Sequence, residues 1–227
     1  MIKIREQMKK VVIFGTGPFA EVIYFYLKND SKYKIAAFTS NKKYIKTKKL
    51  FDLPIVPYEE IEKEYPPEKF DMFIAIGYSN NNKVREKFFL DSKKRGYNLI
   101  SYINSKAIIW EKEKIGENCF ILENNVIQPF VKIGNNVIIW SGNHIGHHSI
   151  IDQNCFISSH VVISGNVRIK KNCFLGVNST IRDEIEISPY CIIGAGTIIL
   201  KNTKANEVFA ASNSPKHRNH SINFKKT

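Results

Sequence analysis

From Ile103 to Ile199 every sixth residue is isoleucine or leucine, without a break. A period of six fits neither the 3.6 of an α-helix nor a two-residue alternation interrupted by hairpins. It predicts a parallel β-helix of hexapeptides, three of which form one eighteen-residue coil of a triangular prism with the isoleucines stacked inside. Two residues before most of these positions stands a small or β-branched residue, such as Cys119, Val131, Val137, Ser149, Cys155, Val161, Val167, Cys173, Ser179 or Cys191. Residues two apart on a strand share a face, so both registers point inward. Gly116, Gly134, Gly146, Gly176 and Gly194 directly follow repeat residues. The corners are expected to exploit glycine's tolerance of positive φ there.

Before the repeat the pattern changes. Lys10 to Gly15 reads as a buried strand, Pro18 to Lys28 as a helix with proline in its first turn, and Tyr33 to Ser40 as a second strand. A short strand near Leu53 to Val56, a helix from Tyr58 to Tyr65, a strand from Phe70 to Gly77, a helix from Asn82 to Arg95 and a strand from Asn98 to Ile103 follow. Alternating strands and helices predict a small Rossmann-like parallel α/β domain. The division is residues 1–102 for this α/β domain, 103–205 for the β-helix and 206–227 for a C-terminal tail.

The first turn, Gly15-Thr16-Gly17-Pro18-Phe19-Ala20, matches G-x-G-x-x-A between strand and helix. There backbone amides and a helix N-terminus can hold a phosphate, or the glycines serve a tight turn alone. A dinucleotide site expects an acidic residue ending the second strand, and Ser40-Asn41 stands there instead, which argues against a nicotinamide cofactor. Gly77-Tyr78-Ser79-Asn80 ends the third strong strand on the same carboxyl edge and is placed to line the same crevice.

Composition narrows the partners. The formal charge of +13 suits a phosphate-bearing ligand, although abundant Ile, Lys and Asn point equally to a general compositional bias. The basic residues form no nucleic-acid-binding module. No run of eighteen apolar residues and no apolar centre near the start are found, so a soluble cytoplasmic protein without integral membrane contact is expected. Cys155, Cys173 and Cys191 are eighteen apart, and Cys119 precedes Cys155 by thirty-six. They are expected to stack inside the prism as small reduced hydrophobes.

Four histidines, His144, His147, His148 and His160, fall in or near Trp140 to Ile150. A metal needs convergent ligands, and no acidic or cysteine partner stacks beside them at the coil spacing, so no metal is expected. Some would be ordinary surface corners. One would be a general base, since imidazole is poised near neutral pH. Gly165 lies one coil after His147, which sets an unobstructed backbone amide beside an imidazole. A base next to such an amide is what acyl transfer from a thioester requires.

These residues resemble the left-handed β-helix hexapeptide acyltransferases, and within them the sugar acetyltransferases that acylate sialic acid or nucleotide-linked amino sugars. The resemblance runs from the Gly15 turn to Ser214-Pro215-Lys216. It implies a homotrimer, acetyl-CoA as acyl donor in the groove between adjacent prisms, and a sugar nucleotide held by Gly15, Gly17, Ser40, Asn41, Gly77, Tyr78 and Ser79. His147 then matches the family's base and Gly165 its oxyanion amide. Gly176, Val177, Ala195 and Gly196 match the CoA groove, and the tail Lys216-His217-Arg218 would approach the CoA phosphates. A cofactor-contacting histidine of some relatives falls on Phe156 here, with His160 nearby as a substitute. Relatives often carry a carboxylate beside the base, whereas Gly146 and His148 flank His147 here. Sugar N-acetylation is the leading implication, with O-acetylation or a non-catalytic nucleotide-binding scaffold as alternatives.

Overall fold

The computed structural model describes residues 10–212. The N-terminal sheet has the order β3-β4-β2-β1-β5, from β1 (Lys10–Phe14), β2 (Ile35–Ser40), β3 (Lys49–Leu50), β4 (Leu53–Pro57) and β5 (Phe70–Ile74). All pairs are parallel except β3 with β4. That antiparallel turn, through Phe51 and Asp52 at φ 48° and 63°, has no glycine to announce it in the sequence. Helix α1 (Pro18–Asn29) covers one side of the sheet, and α2 (Ile61–Glu64) and α3 (Lys83–Lys94) cover the other. The strand expected over 98–103 does not form as one. Leu99 makes a single bridge to Met72, and Tyr102–Ile103 already belongs to the first coil, pairing with Phe120–Ile121.

The β-helix is left-handed and presents three faces. The first runs from Tyr102–Ile103 to Val208–Phe209, the second from Ile108–Ile109 to Ile198–Ile199, and the third from Lys132–Ile133 to Glu186–Ile187. Pairing is in register at eighteen residues, as in Ile139 with Ile157, because every inward isoleucine must sit on the one below. The isoleucine register and the cysteines form one buried core. Burial pushes the Cys119 thiol up to about 11, so it stays protonated and packs as a hydrophobe. The last coil runs past residue 205. Val208–Phe209 pairs with Ile192–Ile193, only sixteen residues later, so the shortened coil escapes the hexad pattern.

The corner glycines act differently from expectation. Gly116, Gly134, Gly146, Gly176 and Gly194 are not among the residues with positive φ. A side chain at the first four would instead stand 2.6–2.7 Å from a backbone nitrogen of the next coil. The left-handed positions belong mainly to asparagines three residues after the repeat isoleucines, including Asn118, Asn136, Asn154 and Asn172, whose short side chains tolerate that conformation.

Those four asparagines form a buried ladder at one corner. Asn118 Nδ2 donates to Asn136 Oδ1 (2.8 Å), and Asn136 Nδ2 donates to Asn154 Oδ1 (2.8 Å). The ends reach the N-terminal domain, where the Ile74 N–H donates to Asn118 Oδ1 and Asn172 Nδ2 donates to Glu86. Into this seam α3 inserts Arg85, which is completely buried. Its guanidinium donates to the carbonyls of Asn136, Asn154 and Cys155 on the prism and of Gly77 (2.6 Å) after β5. Burial lowers its pKa to about 9, which leaves it charged at neutral pH. Beside it, α1 packs Phe19 and Tyr26 on the outer side of the first face, against Phe120.

Arg85→Met keeps the apolar stem and removes every donor, leaving buried carbonyls without partners. It is expected to cost about 3 kcal/mol or more, read as a lower urea midpoint. An unchanged midpoint would show that the guanidinium does not hold the seam.

Candidate active site

The corner between the second and third faces carries the histidine segment. Ile145 points inward and His144 outward, and the chain turns at Gly146, where a Cβ would lie 2.5–2.7 Å from backbone atoms of Ser164 and Gly165. His147 is exposed at the tip, its N–H donating to Gln128 Oε1 (2.9 Å) and its carbonyl accepting from the Asn166 N–H (2.9 Å). Its imidazole lies across Gly165, where an added Cβ would stand 2.8 Å from Cε1 and 2.9 Å from Nε2. Only glycine at 165 leaves room for the ring. The Gly165 N–H has no hydrogen-bond partner among the described residues. An imidazole beside a free amide can take a proton while the amide receives developing negative charge.

His160 provides the contrast. Its ring crosses Gly142, with the same close fit, but the Gly142 N–H already donates to the Glu123 carbonyl (3.1 Å). His144 stands on the second face, away from the corner tip. His148, at φ 60°, places Nδ1 3.1 Å from His147 Nδ1 and its ring 4.6 Å from Phe130. The sequence sets the two histidines side by side but does not show this ring-to-ring contact.

The residues expected at the acyl donor lie at another corner. Gly176 and Val177, Ala195 and Gly196, and His160 all fall between the first and second faces, with Val177, Ala195 and Gly196 exposed. His147 and Gly165 are at the opposite edge of the second face. Phe156 is buried on the first face, stacked on Phe174 (5.5 Å) beneath Tyr78 (5.1 Å), so it supports Tyr78 instead of lining an open groove. Lys216 and its neighbours in the tail lie outside the described residues.

At the carboxyl edge of the sheet is a crevice of about 640 Å³, lined by Asn41, Lys43, Glu59, Asn80, Lys83 and Lys87 among others. Asn41 is thus brought to it, while the lysines of α3 were not singled out in the sequence. Glu59 supplies the carboxylate missing from the end of β2. Its oxygens accept from Asn41 Nδ2 (3.1 Å) and the Lys42 N–H (3.0 Å). Gly15 is fixed by packing, since its φ is 135° and a Cβ would stand 2.8 Å from the Ala75 carbonyl. Gly17 and Gly77 face open space, with nothing within 4 Å of an added Cβ. Ser40 is buried, whereas Tyr78 and Ser79 are exposed beside the prism. No helix among the described residues is long and apolar enough to cross a membrane.

Comparison with known proteins agrees with this layout. Residues 10–92 match the PglD N-terminal domain, and residues 114–146 and 133–165 match the bacterial transferase hexapeptide repeats. Among curated proteins no sequence matches significantly. A histidine-to-asparagine variant of perosamine N-acetyltransferase from Caulobacter crescentus, in complex with CoA and GDP-perosamine, superposes with a TM-score of 0.79 at 22% identity, covering 88% of this chain and 93% of that one. The acetyltransferase domain of PglB from Neisseria gonorrhoeae, in complex with acetyl coenzyme A, gives 0.75 at 19% identity, covering 88% and 95%. WeeI from Acinetobacter baumannii gives 0.74 at 19% identity, covering 88% and 96%. The chain thus joins a region that matches the PglD N-terminal domain to a prism whose repeats match the bacterial transferase hexapeptide, and it shares its fold with these structures.

Proposed function

We propose that the protein is an acetyl-CoA-dependent N-acetyltransferase acting on the amine of a nucleotide-linked amino sugar. The observation that carries this reading is the His147 imidazole laid across Gly165, whose N–H has no partner among the described residues. The amine attacks the thioester carbonyl carbon, and the displaced electron pair on oxygen is received by the Gly165 N–H. His147 Nε2 takes the proton from the attacking nitrogen. Collapse expels the CoA thiolate, which recovers that proton from the imidazolium, leaving an amide. The perosamine enzyme, with CoA and a GDP-linked amino sugar bound, supports this substrate class. The lysine-lined crevice suits the phosphates of the nucleotide. The product would serve surface-glycan synthesis, and the protein would act in the cytoplasm.

The site is completed by a second copy in a homotrimer. The second face turns Ile108, Val126, His144, Val162, Thr180 and Ile198 outward, with Ile108 58% and Ile198 65% exposed. The third face carries Lys132, Arg168 and Glu186, and the first is covered by the N-terminal domain. If the apolar face turns to a three-fold axis, the His147 corner of each prism adjoins the Val177 and Ala195 corner of the next. The acyl donor would lie between them, beside the next copy's Tyr78 and Gly17.

His147→Ala is expected to lower turnover by about a hundredfold to ten-thousandfold with the oligomer intact, while His160→Ala stays within a few-fold. Thiol release from acetyl-CoA against a panel of amino and hydroxy sugar nucleotides measures both, and near-normal turnover without His147 would reject the base. Gly165→Ala would push the imidazole aside and cost on the order of a hundredfold in kcat with an unchanged melting temperature. Finally, His147→Ala and Gly17→Val should each be nearly inactive alone and regain activity when co-expressed, because mixed trimers contain intact sites. No recovery would place base and nucleotide in one chain.

A further inference from the structure

We propose that His148 is the positioning residue of His147, accepting the His147 Nδ1–H at its own Nδ1 and so fixing the tautomer whose Nε2 is free beside Gly165. This rests on the reading of His147 as base. The two Nδ1 atoms are 3.1 Å apart, and a contact that short between imidazole nitrogens needs one proton between them. Nε2 of His147 is the nitrogen lying against Gly165, so the proton belongs on Nδ1 if that ring is to act as a base there. No carboxylate of the described residues hydrogen-bonds either ring.

The His148 ring is itself held in place. Its backbone is left-handed at φ 60°, and the ring lies against Phe130, 4.6 Å between centroids. Phe130 stands one coil earlier at φ 68°, and its N–H donates to the Glu111 carboxylate, which Lys114 also pairs at 2.7 Å. The Lys114 ammonium, and after it the Phe130 N–H, hold Glu111 below the usual carboxylate range. The charged groups around the pair are Glu111 and Lys114 two coils before it, Asp183 and Glu184 at the same corner two coils beyond, and His144 on the preceding strand. A neutral acceptor orients a base without favouring its protonated form, as a carboxylate would.

Two variants test the contact without forcing the backbone. His148→Gly fits positive φ, and His148→Glu is tolerated there because Glu184 adopts φ 57° at the equivalent position. Selective 15N-histidine spectra should show His147 as the Nδ1–H tautomer in the parent and as a mixture in His148→Gly. The same change should lower kcat about tenfold to a hundredfold with little effect on KM. His148→Glu should restore kcat and move the acid limb of kcat/KM to higher pH, since a neighbouring carboxylate favours the imidazolium. An unchanged tautomer and kcat in His148→Gly, or an unmoved acid limb in His148→Glu, would overturn the proposal. The tautomer spectrum does not depend on turnover. A tautomer shift in His148→Gly, together with full activity in His147→Ala, would therefore uphold the orienting contact and remove only the base assignment.

Discussion

A buried guanidinium that donates to backbone carbonyls is the constraint on which the arrangement of this molecule depends. Arg85 has left water entirely, and so large a desolvation cost is bearable only if nearly every donor finds an acceptor. The acceptors are backbone carbonyls of the β-helix, those of Asn136 and Asn154 at the corner and that of Cys155, which also accepts the Ile138 N–H. The asparagines are left-handed there, and their side chains run as a ladder between coils, so their carbonyls are free to receive Arg85. The same side chain holds the Gly77 carbonyl, which ties the end of β5 to the prism and settles where Tyr78 lies over Phe156 and Phe174.

The prism converts one inward rule into three distinct outward surfaces. Stacked isoleucines give every coil the same section, so the faces differ only in their outward residues. Aromatic residues on the first face form a common core with α1, charged residues on the third meet water, and the second remains apolar. Chemistry collects at the corners because only there does a residue escape both the core and the ladder. At His147 a missing side chain on the neighbouring coil leaves a ring-sized gap beside an unused N–H. At His160 the ring lies over the Gly142 amide, which is already bound to Glu123, so that gap carries no comparable pair of groups.

By itself the sequence determined the prism, its inward registers and the stacking of His147 under Gly165, because a repeat of eighteen residues fixes which positions lie above one another. It also determined the α/β character of the first domain, through hydrophobic runs long enough to specify strands and helices. Three features were left to the tertiary structure. The corner glycines proved to be matters of close approach between coils, and positive φ passed to asparagine, since spacing cannot say how near two backbones come. The shortened last coil has no hexad to mark it. Arg85 and His148 are defined by contacts: one meets residues some fifty to seventy positions away, and the other meets its neighbour by a side-chain orientation that a sequence does not encode locally. The separation of His147 from Val177 and Ala195 across one face likewise required three dimensions, because a linear repeat orders the corners but does not say which of them an adjoining domain leaves uncovered.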